Sequence, residues 1–145
     1  MDERDVELRN RIYRWFVEHG RAPSAEEAGT DAAGLRRLQD AHALVLEPDR
    51  PEIRMLNPFS AVPTAYRVEA GGRSWFGNCV WDAFGIPAAL GVDGHVATTC
   101  LDCGEALEAE MVGGRPEPVD LVAHILLPAR HWWEDIVFTD RKSVV

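Results

Sequence analysis

The chain reads as an α/β protein of the α+β kind, a small winged-helix-like N-terminal lobe packed on a mixed or antiparallel sheet. Two observations predict this. Residues 2–19 place Val6, Leu8, Ile12, Tyr13, Trp15, Phe16 and Val17 at roughly helical spacing. Beyond Pro58 and Pro63, strand-like runs recur near 64–69, 73–77, 95–99, 105–112 and 119–127. With 145 residues, of which 46% are hydrophobic, the chain can bury a real core as one domain or two small lobes. The expected boundaries are a helical lobe over 1–60 and an α/β domain over 61–145.

The elements follow in order. Gly20 is the expected stop of the first helix. In "APSAEEAG", Ser24 and Glu27 stand in capping-box positions and predict a second short helix. "DAAGLRRLQDAHALVLEP" predicts a third helix passing into a strand near Leu44–Glu47, with "PEIRMLNP" as its hairpin partner. Three helices and a hairpin suggest a winged helix-turn-helix. Only Arg36 and Arg37 serve its candidate recognition segment, so the lobe is read as a packing element that does not bind DNA. "TAYRVEAGGRSWFGN" predicts two strands about Gly71–Gly72, and residues 79–90 a short helix ending before Pro87. "GHVATTC" reads as a strand, "LDCGEALEAEMVGG" as a knuckle turn and a strand, and "PVDLVAHILLP" as a further strand. "ARHWWEDIVFTD" predicts a short helical or irregular element and then the start of a strand.

The net charge of −9 disfavours nucleic acid as a partner, because a phosphate footprint needs concentrated positive charge. No apolar stretch approaches membrane-spanning length and no secretory signal is visible, so a cytoplasmic protein without a membrane partner is expected. Its three cysteines, Cys79, Cys100 and Cys103, are then expected to be reduced.

Within "GNCVWDAFGIPAAL", Cys79 precedes Asp82 by three positions, which puts both on one helix face. A helix start favours a thiolate through its free N–H groups. Asp82 opposes ionisation of the thiol and suits proton delivery, since burial should raise its own pKa toward neutrality. A soft thiolate beside a proton-donating acid suits attack on a soft metal centre and protonation of its organic leaving group. The same residues also fit a plain packing cysteine and a turn-capping acid.

"TCLDCG" holds Cys100 and Cys103 as half of a zinc-knuckle pattern, with Cys79, His95, His124 and His131 as candidate further ligands. Metal binding, redox chemistry and simple packing all remain open for this pair. His131 and Glu134 form a candidate acid/base pair.

The stretches "WFGNCVWDAFGIPAALG", "HVATTC" and "HILLPARHWWEDIVF" resemble the organomercurial (alkylmercury) lyase family. "EHGRAPSAEEAG" is similar to that family's winged-helix-like N-terminal domain. The resemblance implies a sheet of alkylmercury-lyase type and protonolytic cleavage of a carbon–mercury bond. In the family two cysteine thiolates hold mercury and one aspartate passes a proton to carbon, leaving a hydrocarbon and thiol-bound mercuric ion. Cys79 matches the first catalytic cysteine, Asp82 the aspartate, and Cys100 a cysteine read as structural. The second catalytic cysteine falls on Asp140, and the tail after it is short, which implies a divergent member.

A carboxylate is a harder ligand than the thiolate it replaces. Cys100 or Cys103 can substitute only where the fold brings one beside Cys79. The implied catalytic set is therefore Cys79, Asp82 and Asp140, and the implied metal set Cys79, Cys100 and Cys103. No cofactor is required; thiol-bound mercury or zinc is the metal to expect. The implied partners are a small organometallic substrate and an external thiol. The alternatives are a non-catalytic soft-metal (Hg/Zn/Cu) binding protein, or a paralogue with a different small-molecule reaction.

Overall fold

The computed structural model describes residues 1–118 and 120–141. The chain divides into two compact units, Met1–Val62 and Pro63–Val145.

In the first unit, α1 (Glu3–His19) starts at Asp2, whose carboxylate accepts the Asp5 N–H, and stops at Gly20, which takes the left-handed conformation at φ 68°. Leu8, Ile12 and Phe16 recur every fourth residue and form its buried stripe. Phe16 stacks on Phe59 at 5.4 Å, and Tyr13 meets the same ring edge-on at 5.2 Å. The expected second helix is only one turn. Its capping box forms, Ser24 N–H donating to Glu27 Oε2 (2.8 Å) and Glu27 N–H to Ser24 Oγ (3.1 Å). Gly29, at φ 67°, then turns the chain away before a second turn can propagate.

Helix α2 (Ala32–Asp40) is capped by Asp31, and Arg37 pairs with the Asp5 carboxylate at 3.2 Å. Three short antiparallel strands follow: β1 (Val45–Leu46), β2 (Ile53–Leu56) and β3 (Phe59–Ser60). The third was not evident from the sequence.

The second unit is a fully antiparallel sheet in the order β5-β4-β6-β7-β8. Its strands are β4 (Arg67–Ala70), β5 (Arg73–Gly77), β6 (Gly94–Thr99), β7 (Ala106–Val112) and β8 (Arg115–Glu117). Gly71 and Gly72, both at positive φ, make the tight β4–β5 turn, and Gly113–Gly114 repeat the device between β7 and β8. Register aligns Trp75, Val68, Val96 and Ala109 in one row across four strands, and all four are buried. Helix α3 (Val80–Leu90) covers this sheet with Val80, Ala83, Ile86 and Pro87.

Three expectations for this unit need correction. Helix α3 does not end before Pro87 but runs through it to Leu90. Pro87 is buried near Gly94 of the sheet, and its carbonyl still accepts the Val92 N–H at 3.2 Å. Packing outweighs the lost hydrogen bond here.

The run 119–127 is not a strand: residues 120–127 are irregular apart from an isolated bridge at His124, and Val119 lies outside the described residues. The Gly113–Gly114 turn gives the position beside β7 to β8 instead. Val122 (75% exposed) and Leu126 (53%) bury no common face.

After a 3₁₀ turn at Ala129–Glu134, the expected strand start is helix α4 (Ile136–Arg141). Asp135 caps it, its Oδ1 accepting the Phe138 N–H at 2.9 Å. Residues 142–145 of the expected terminal strand lie outside the described residues. Among the described residues no helix is long and apolar enough to cross a membrane.

Candidate active site

The site begins where β5 passes into α3 without a loop. Gly77 closes the strand, its N–H donating to Tyr66 O (2.9 Å) and its carbonyl accepting from Thr64 Oγ1 (2.6 Å). A β-carbon on Gly77 would lie 2.8 Å from Ala83 N and 3.1 Å from Ala83 Cα. Only glycine allows the first turn of α3 to press this closely on the strand.

Cys79 is the N-cap residue of α3, in extended conformation, and its carbonyl accepts the Ala83 N–H at 3.0 Å. Asp82 lies in the first turn, and its Oδ2 accepts from Asn78 Nδ2 at 3.0 Å. Asp140 arrives from α4, where Ile136 and Thr139 are also buried. Cys79, Asp82 and Asp140 are all buried, and one ligand atom from each lies within 4.8 Å of the others.

Burial governs the electrostatics. It pushes the Cys79 thiol far above its ordinary value, and the Asp82 and Asp140 charges push it further. The nearby N–H groups of Asp82 and Trp81 act in the opposite direction and are outweighed. Burial thus works against the help that the helix start gives a thiolate. Asp82 rises to about 6 through burial, although Asn78 and the Cys79 thiol hold it down. Asp140 rises to about 7 through burial and the Asp82 charge, again opposed by Cys79. The trio is therefore proton-rich near neutrality, with two carboxyl groups able to exchange protons with a thiol.

Of the residues singled out from sequence, Cys79, Asp82 and Asp140 come together. Cys100 is buried just past the end of β6, and Cys103 is exposed in the turn that follows. Neither belongs to a three-residue cluster of potential metal ligands with Cys79 among the described residues. The knuckle turn forms, with Gly104 N–H donating to Cys100 O (2.9 Å), but it gathers no further ligand there. His95 pairs with Glu110 at 2.8 Å, and His131 with Glu134 at 2.6 Å, both toward solvent. Sequence reasoning missed Gly77, Asn78 and Asp135. The flanking Gly-Asn and the Asp three positions before Phe138 were the available signals.

Comparison with known proteins bears on the family and the fold. Residues 59–140, more than half of the chain, match the family described as "MerB: Alkylmercury lyase". A solved structure, the mercury-bound form of MerB2, superposes with a TM-score of 0.66 at 21% identity, covering 85% of this chain. The match spans 64% of that chain's length, and at this identity it speaks for the fold. No curated protein matches. With one thiol, Cys79, clustered with two carboxyl groups where the resemblance implies two cysteines and one aspartate, the chain belongs to the alkylmercury lyase family as a member with an altered site.

Proposed function

We propose that the protein cleaves the carbon–mercury bond of a small organomercurial by protonolysis, with Cys79 as the mercury ligand and Asp82 as the proton donor. The observation that carries this reading is the buried gathering of Cys79, Asp82 and Asp140 within 4.8 Å. The Cys79 sulfur binds mercury as its proton passes to a neighbouring carboxylate. Protonated Asp82 then gives its proton to the carbon, the electron pair of the breaking carbon–mercury bond forms the new C–H bond, and the hydrocarbon leaves. Mercury keeps its oxidation state and remains on sulfur. The Asp140 carboxylate stands where a second thiolate would share the metal, and an external thiol removes the mercuric ion.

Proton transfer within a dry site favours this sequence, because a carboxyl group with a raised pKa holds its proton near neutral pH. The acidic chain suits a small-molecule substrate rather than nucleic acid, and a reducing cytoplasm would keep the thiol available. Incubation with phenylmercury and an external thiol tests the proposal. Benzene and mercuric ion should appear in equal amounts.

A second reading is soft-metal binding without cleavage. One specific feature favours it: a single thiol with two harder carboxylates polarises the mercury–carbon bond less than two thiolates would. Stoichiometric mercury uptake without hydrocarbon would establish it.

A further inference from the structure

Asn78 precedes the N-cap of α3, and its side chain is buried with the acid it meets: both residues are 5% exposed. The backbone is held on either side of it. Gly77 is bonded through its N–H and its carbonyl, and Cys79 O accepts the Ala83 N–H of the first helical turn. From this fixed position Nδ2 of Asn78 donates to Asp82 Oδ2 over 3.0 Å. Burying an amide costs free energy that an apolar side chain would not incur, so the partner it finds matters. Here the partner is the proposed proton donor.

The bond has a direction. The amide nitrogen has hydrogens to give and no lone pair to accept with. The oxygen it holds cannot present an O–H along the same line. When Asp82 takes up its proton, Oδ2 therefore remains the acceptor and Oδ1 becomes the hydroxyl. The bond also strengthens as the proton leaves, because a hydrogen bond to a carboxylate is roughly twice as strong as one between neutral groups. Asn78 thus stabilises the ionising acid more than the loaded one, which is the condition for lowering a barrier.

We propose that Asn78 is the positioning residue of the proton transfer: it confines the Asp82 proton to Oδ1 and steadies the carboxylate that remains once carbon has taken that proton. The Oδ1–H bond breaks as the electron pair of the carbon–mercury bond forms the new C–H bond, and Oδ2 keeps its N–H donor throughout. The part that Asn78 plays in hydrocarbon release rests on the lyase reading. The placing of the proton rests on the hydrogen bond alone.

The test compares the full chain with its Asn78→Ala variant at about pH 5, where Asp82, at about 6, is mostly protonated in both and titration does not separate them. Release of benzene from phenylmercury should slow by about tenfold to 10²-fold in kcat, the scale of a misplaced reacting group, while KM and mercury uptake hold. The infrared C=O stretch of protonated Asp82, identified by its loss in Asp82→Asn, should move to higher frequency in Asn78→Ala, because the carbonyl oxygen has lost its donor. Should Asn78→Ala fail to fold, the wild type decides: with ¹⁵N label, the Asn78 side-chain N–H resonances should move as pH passes through about 6.

The proposal is overturned by an unchanged kcat in Asn78→Ala, by an equal loss of mercury uptake, by an unmoved C=O stretch, or by Asn78 resonances that ignore the Asp82 titration. A wild type that releases no hydrocarbon from any mercurial, while the stretch and the resonances move as stated, removes the lyase reading and leaves the proton on Oδ1.

Discussion

Asn78 donates its side-chain amide to Oδ2 of Asp82 over 3.0 Å, and both residues are buried. The bond favours the ionised carboxylate and holds the Asp82 pKa below where burial alone would put it. Asn78→Ala should therefore move the Asp82 titration upward from about 6, read by ¹³C NMR of the carboxyl carbon. A downward shift would show that the amide serves the protonated form.

Asp140→Asn should stabilise the protein at pH 8 by more than at pH 4. The folded pKa of Asp140, about 7, lies above the ordinary 3.8. The folded state therefore binds more protons than the unfolded state between those values, and stability falls as pH rises through this window. Below about pH 4 the carboxyl is neutral in both states and the substitution removes little. Thermal unfolding at the two pH values checks the sign.

Cys79→Ser should abolish tight mercury uptake at the site together with any hydrocarbon release. Cys103→Ser should change neither, because that thiol is exposed in the β6–β7 turn and lies outside the cluster. Mercury stoichiometry by elemental analysis and hydrocarbon by gas chromatography separate these outcomes. Loss of turnover in Cys103→Ser would mean that this thiol enters the reaction.

Asp82→Asn should leave mercury uptake largely intact and slow hydrocarbon release by roughly 10²-fold or more, the usual scale of general acid catalysis. Asp140→Cys should act in the opposite direction, since a second thiolate shares the metal's soft charge and eases protonation of carbon. Single-turnover release from phenylmercury measures both. Unchanged release in Asp140→Cys would remove Asp140 from the metal's surroundings.

Gly77→Ala should destabilise the second unit by about 1–3 kcal/mol, the usual cost of overpacking. The added methyl meets Ala83 N at 2.8 Å, and backbone cannot yield as a flexible side chain would. Denaturant unfolding gives the magnitude. A fully stable variant with normal Asp82 titration would show that the strand–helix approach is looser than this geometry requires.

Local pattern determined the elements whose signals lie within a few residues. The recurrence of Leu8, Ile12 and Phe16 at every fourth residue makes α1, and Gly71–Gly72 sets the β4–β5 hairpin. The three-residue step from Cys79 to Asp82 places a thiol and an acid in one turn of α3. Family resemblance added Asp140 as the counterpart of a lost cysteine.

Tertiary structure decided what depends on distant neighbours. It carried α3 through Pro87 by burying the ring, and it left 120–127 irregular because β8 took the place beside β7. Capping by Asp135 turned the expected strand into α4, the helix that delivers Asp140, and the fold kept Cys103 at the surface. It also buried Cys79, and desolvation there works against the help that the nearby N–H groups give a thiolate.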